Sequence, residues 1–416
     1  MRLYPYPQTK FTNLLLMLLM AGLLYVCRDS MYTTAMLGFN KAYVLTLALV
    51  AVSGLYFLVY NRRQWKQLLL DPRMLMLLAV TVVMLLPMLV KGDWQMMYFS
   101  ILVCLWIGIF FSFFWQWQDA AKCYVVLFSA IGVYSMLATY VLRILPDRDI
   151  LEVPVFYNAI GHMFHHFGFS IVSDEYVRLR NFGIFREPSV YHCFILLALY
   201  LNNYSVCWKQ QKWLWVNNLI LSMAMVSTLA TGGFVELAIL AVAVFFHKGL
   251  HKSRLAWTVI LILAVLAGIF LAVVIMQQGE IYWTLYGTFV SKFAPGADSS
   301  SDRVNSIVEN AAFFFRSPFV GGKIAAVFDT VPNNTSSTTL LFAIFGLGGG
   351  LIHLLCWFAL VWDKNRSWLS NLVLLAVLFM ALNTQNLIAN LFIWLLPMMA
   401  MCQRGIPWVQ GLMKKE

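Results

Sequence analysis

Apolar stretches separated by short polar links run through almost the whole chain. Twelve of them, at about residues 12–27, 42–60, 74–90, 97–115, 121–142, 189–207, 213–230, 232–247, 255–276, 338–362, 368–383 and 387–403, come close to or reach spanning length. A helix needs roughly 20 apolar residues to cross a hydrocarbon core. The pattern predicts an all-α polytopic membrane protein with about 12 transmembrane helices, forming a single integral membrane domain over residues 1–416. Two separations are very short. Ala230-Thr231-Gly232-Gly233 reads as a tight hairpin, and Asn383-Thr384-Gln385-Asn386 is all that divides the last two segments. Two intervals, 143–188 and 277–337, are long and mixed in character. Loops of that length within a compact fold are usually functional.

Composition agrees with the pattern. The chain is 61% hydrophobic and 11% charged, with mean hydropathy +0.76. A soluble domain carries about 25% charged residues, so no water-soluble fold could cover this much apolar surface. The 29 bases against 18 acids could suggest nucleic acid. Their placement rejects that reading, because most of them punctuate the short links. With a cytoplasmic N-terminus, 17 bases fall on the inner side, Arg62, Arg63, Lys248, Lys252, Lys364 and Arg404 among them. The short outer links hold only Arg28, Lys41 and Lys91. This is the positive-inside bias, and it puts both termini in the cytoplasm and both long loops outside. The seven cysteines lie in or beside apolar runs without a CxxC pair, which argues against a disulfide framework or a zinc site. No small-x-small cleavage site follows the first apolar run at Cys27-Arg28-Asp29, so it is expected to stay as a helix. No internal repeat stands out.

The first outer loop carries Arg178-Leu179-Arg180-Asn181-Phe182-Gly183-Ile184-Phe185-Arg186-Glu187-Pro188-Ser189. Pro188 suits the first position of the following helix, where its missing N–H costs nothing. That sets Glu187 at a helix N-terminus, a place where oriented N–H groups favour anions. Arginine suits phosphate because its planar fork donates two parallel hydrogen bonds and stays charged. One reading is therefore a diphosphate clamp beside a carboxylate. The other is a solvated loop whose arginines meet lipid headgroups or pair with Asp174, Glu175 and Glu187. Outward placement favours the clamp, since positive charge has no topological purpose there. Upstream, Val155 to Val172 contains His162, His165 and His166 and reads as an interfacial amphipathic helix, with a metal site as the sharper alternative. His192 lies one turn into the next helix. It is either a satisfied buried histidine or a contact to substrate.

The second loop holds Asp298-Ser299-Ser300-Ser301-Asp302-Arg303, a predicted amphipathic helix from there, and Ser317-Pro318-Phe319-Val320-Gly321-Gly322. The paired glycines either let backbone approach a ligand or make a plain turn. Asn333-Asn334-Thr335 can cap the next helix or bind sugar hydroxyls. Glu236 is the one acid well inside a spanning segment, and such groups are functional suspects.

Taken together, these motifs resemble the O-antigen polymerase and O-antigen ligase superfamily. Arg180 to Ser189 is similar to the family's Arg-x-x-Gly segment leading into Glu-Pro. Arg303 followed by Pro318 to Gly322 resembles its second-loop ending. Asn334 to Gly350 is similar to the segment in which ligases carry a histidine. This chain has Asn333 or Asn334 there, which points to the polymerase branch. The Arg-ten residues-Gly spacing of polymerases is not met by Arg178, Arg180 or Arg303. The resemblance implies a metal-independent, cofactor-free, GT-C-like glycosyltransferase at the outer face of the bacterial cytoplasmic (inner) membrane. Its donor and acceptor would be polyprenyl-diphosphate-linked glycans, extended into a surface polysaccharide such as lipopolysaccharide O-antigen or capsule. A chain-length regulator would be a protein partner. Glu187, Arg180 and Arg303 would be catalytic, with Arg178, Arg186, His192, Asn333, Asn334 and Glu236 binding substrate. Three other readings stay open: ligation of a finished glycan to another acceptor, transport of a lipid-linked sugar, and a membrane scaffold. Scarce charge within the helices disfavours transport.

Overall fold

The computed structural model describes residues 10–37, 71–141, 154–157, 163–173, 179–290 and 298–405, with 41, 44–46, 48 and 51. Within these the chain is mostly helical. In chain order the helices are α1 (Lys10–Tyr25), α2 (Pro72–Lys91), α3 (Met96–Phe114), α4 (Trp117–Tyr140), α5 (Pro188–Tyr204), α6 (Gln211–Ser227), α7 (Thr231–His247), α8 (Arg254–Gln277), α9 (Glu280–Leu285), α10 (Asp298–Arg316), α11 (Ile324–Thr330), α12 (Ser337–Val361), α13 (Trp368–Leu382) and α14 (Phe392–Ala400). Every predicted apolar segment except 42–60, most of which lies outside the described residues, coincides with one of them. Among the described residues, α2, α3, α4 and α12 are long and apolar enough to cross a membrane.

The surface of α2 shows which solvent the helices expect. Leu75, Leu78, Val82, Leu86 and Leu89 recur at helical spacing and are all at least half exposed, Leu75 to 70%. Val80, Met84, Pro87 and Met88 are buried on the other side. A stripe of exposed leucine and valine would be a liability in water and costs nothing against lipid tails. The same arrangement recurs on α12, where Leu351, Leu355 and Phe358 face outward. This is a helical membrane protein.

The core lies where α3 packs on α14, α14 on α12, and α4 on α5 and α6. Phe128, Phe185 and Phe194 stack at its centre, with the Phe185 and Phe194 rings 4.7 Å apart. Helix α12 is broken at Gly346, whose φ of 61° and ψ of −155° belong to glycine alone. The Pro318–Gly322 turn docks into that break. Leu347 N donates to Pro318 O (2.7 Å) and Gly322 N donates to Ala343 O (2.7 Å). Lys91, at the end of α2, donates from Nζ to Gly322 O (2.7 Å) and Ile344 O (2.6 Å), satisfying carbonyls that the break leaves over. So Gly321 and Gly322 do bring backbone close, but to the backbone of α12 rather than to a ligand.

The stretch from Val155 to Val172 differs from the expected interfacial helix. It forms a three-stranded antiparallel sheet of β1 (Val155–Tyr157), β2 (Met163–His166) and β3 (Ile171–Ser173), with Val155 opposite His165 and His165 opposite Val172. Phe167 and Ser170 exchange both backbone hydrogen bonds across Gly168-Phe169, and Gly168 takes φ 62°. A glycine in that conformation at the first turn position closes a two-residue hairpin and stops a helix. Short aromatic runs fit either period, which is why the pattern misled. His165 and His166 are adjacent on one strand and point to opposite faces, so they cannot share a metal ion. Tyr25 meets His166 Nε2 at 3.2 Å, and His162 lies outside the described residues.

Candidate functional site

The chain between α1 and the π-helical turn at Tyr32–Leu37 runs against the end of the first long loop. Ser30 bridges Phe185, Met31 N donates to Ile184 O (2.9 Å), and Arg186 N donates to Asp29 O (3.1 Å). This short pairing fixes the approach to α5. Pro188 takes the first helical position and Glu187 the cap, in extended conformation. The Glu187 side chain is 45% exposed. It is held by the Ser189 hydroxyl, which donates to Oε2 at 2.9 Å, and by Arg186, whose Nη1 lies 3.7 Å from Oε1.

Arg186 is the hinge of the arrangement. Its Nε donates to Oδ1 of buried Asp29 at 3.1 Å, and Asn390 Nδ2 donates to the other carboxylate oxygen at 2.8 Å. Burial works against the charge on Arg186, but Asp29 and Glu187 outweigh it and hold the guanidinium above its ordinary value. The guanidinium is therefore a permanent cation, anchored on one side by Asp29 and turned on the other toward Glu187.

Around these groups lies a cavity of about 390 Å³. Arg28, Asp29, Arg186 and Glu187 line one wall, and Pro332, Asn333, Asn334 and Thr335 from the second long loop line the other. Gln385 and Asn386, between α13 and α14, complete it. Gln385 Nε2 donates to the Ser189 hydroxyl at 2.8 Å, tying this turn to the start of α5. The two long loops thus meet in one polar cleft.

Helix α10 brings the second wall into place. Its polar residues face inward: Asn333 donates to Asp302 Oδ2 (3.4 Å), Ser306 Oγ accepts from Thr335 N (3.2 Å), and Asn310 exchanges amide hydrogen bonds with Asn334 (3.1 and 2.8 Å). Its apolar residues Val304, Ile307, Val308 and Phe315 face outward. That amphipathicity seats α10 with its polar side on the Asn333–Thr335 wall and its apolar side exposed. Asn334 is buried and also accepts from Ser336 N at 3.3 Å, so it builds the wall, whereas Asn333 is exposed and lines the cleft. Asn334→Ala strands the Asn310 carbonyl and is expected to destabilise the protein by about 1–3 kcal/mol, read as a lower unfolding temperature.

Not every expected residue reaches the cleft. Arg180 donates to Thr228 O at 2.9 Å, and Asn181 donates to the hydroxyls of Ser135 (2.9 Å) and Ser227 (3.0 Å). This pair fastens the loop to the end of α6. Arg178 lies outside the described residues. Arg303 is half-buried near the start of α10, three residues before Ser306, and is not among the residues that line the cleft. His192 and Glu236 sit beneath the cleft in α5 and α7, both 1% exposed and 3.0 Å apart. Gly233 makes room for them, since a Cβ there would lie 3.3 Å from the His192 side chain. Reasoning from sequence missed Arg28, Asp29, Gln385 and Asn386. Compared with family models, curated proteins and solved structures, the chain gave no match.

Proposed function

We propose that the chain is a polymerase of polyprenyl-diphosphate-linked oligosaccharide repeat units, working at the outer face of a bacterial inner membrane. On this reading it has about 12 spans in a GT-C-like arrangement, both termini cytoplasmic, and the cleft on the far side. The observation that supports it most is the meeting of the two long loops around one exposed carboxylate, Glu187, with two arginines and several amides in reach. The motif resemblance of both loops adds to it.

The chemistry needs no group beyond those present. The acceptor hydroxyl attacks the donor's anomeric carbon. The new C–O bond forms as the bond from that carbon to the diphosphate oxygen breaks, and polyprenyl diphosphate leaves. Glu187 takes the hydroxyl proton as general base. Arg28 and Arg186 offset the charge that builds on the leaving diphosphate, where preorganised cations help most. Arg303 and Arg178 are assigned to the donor's diphosphate on the motif resemblance alone. Asn333 and Asn386 hydrogen-bond sugar hydroxyls. Arg180 acts through the loop it fastens, and the buried His192–Glu236 pair supports the start of α5 from below.

Each bond made releases one polyprenyl diphosphate. Purified protein given a single defined repeat unit is expected to release that lipid in step with consumption of the unit. Consumption without release, or no consumption at all, would leave a binder or transporter in place of a transferase.

A further inference from the structure

A second cavity, of about 650 Å³, lies between α7 and α13. Ala238, Val242, Ala243 and Phe246 form an apolar wall along α7, facing Leu369 and Val373 of α13. One end is polar, lined by His247, Asn365, Arg366 and Ser367.

Its place in the bilayer follows from the helices. Helix α7 begins beside His192 under the cleft and ends at His247, 17 residues on, which is about 25 Å. Helix α13 runs the other way, from this groove up to the Gln385–Asn386 turn of the cleft. The polar end of the groove is therefore at the opposite membrane face from the cleft.

Arg366 is the informative residue. Its side chain is only 6% exposed. Nη2 donates to Val361 O at 2.6 Å, Nε lies 3.8 Å from Asp363, and the guanidinium stands 5.1 Å from the Tyr204 ring centre. Among the described residues Nη1, in a guanidinium that also neighbours Tyr200, makes no hydrogen bond of its own. A buried guanidinium N–H left unpaired is costly, and the cost is lifted when an anion supplies the acceptor. The first turn of α13, capped by Ser367, adds unpaired backbone N–H groups at the same end. Exposed Lys248 and Lys364 make the surroundings basic.

We propose that this groove binds an anionic phospholipid of that leaflet, its phosphate on Arg366 and one acyl chain between α7 and α13. Depth selects the occupant. From His247 to Ala238 the wall rises about 14 Å, close to half of the roughly 30 Å hydrocarbon core. That fits an acyl chain within one leaflet. A long polyprenyl chain would leave most of its length outside.

Native mass spectrometry of the full chain, released from detergent with added lipid, tests this. Phosphatidylglycerol is expected to bind at least tenfold more tightly than phosphatidylcholine. Ala243→Phe, which fills the groove, and Arg366→Gln, which removes the charge, are each expected to erase that preference, and Arg366→Lys to keep part of it. Ala243→Phe carries the test if Arg366→Gln fails to fold. Equal affinity for the two lipids, an unchanged preference in Ala243→Phe, or tighter binding of a polyprenyl phosphate would overturn the assignment.

Discussion

Glu187→Gln is expected to lower polyprenyl diphosphate release by about 10²–10⁴-fold, the usual contribution of a positioned general base. The change should leave the fold intact. Gln keeps an acceptor for the Ser189 hydroxyl, and the site is 45% exposed, so no buried group loses its partner. Unfolding temperature should match that of the native protein while turnover falls. Arg186→Gln should behave differently. It removes the cation that Asp29 was buried with, so both stability and turnover fall. A Glu187→Gln enzyme with near-native turnover would remove Glu187 from the role of base, whatever happens at Arg186.

The second large effect is structural. Gly346→Ala should destabilise the protein by about 3–6 kcal/mol, combining a backbone conformation reserved for glycine with overpacking. A Cβ at Gly346 would lie 2.5 Å from the carbonyl of Phe319, and one at Gly321 would lie 2.5 Å from that of Ile344. Backbone cannot yield there as a side-chain tip could. The expected result is little or no monodisperse protein after extraction in detergent. Gly268→Ala is the control, because among the described residues nothing lies within 4 Å of a Cβ at that position. If Gly346→Ala folds as well as Gly268→Ala, the docked turn is not what holds the second loop in place.

These two results draw on different parts of what the sequence disclosed. Glu187 and Pro188 were legible because a proline after an acid marks a helix start by local chemistry alone, and α5 does begin at Pro188. The apolar helices were legible because lipid imposes apolarity residue by residue. The cleft was only half legible. Arg28 and Asp29 sit in a short link, where charge reads as topology, and only the pairing of Asp29 with Arg186 and Asn390 reveals another use. Gln385 and Asn386 read as a turn between helices, and only the tertiary fold shows that the turn closes a cavity. Arg180 shows the converse. The sequence marks the arginine, and only the fold shows its Nε on the Thr228 carbonyl just past α6. The reciprocal fit of Gly321 and Gly346 links positions 25 residues apart and carries no signal in either motif alone.

On the proposed function, the cleft joins lipid-linked repeat units to one another. The most direct test is to incubate purified full-length protein with one defined polyprenyl-diphosphate repeat unit and resolve the products by size. A regular ladder of glycans spaced by one unit is expected, absent with Glu187→Gln. A reaction that leaves only the single repeat unit would contradict it.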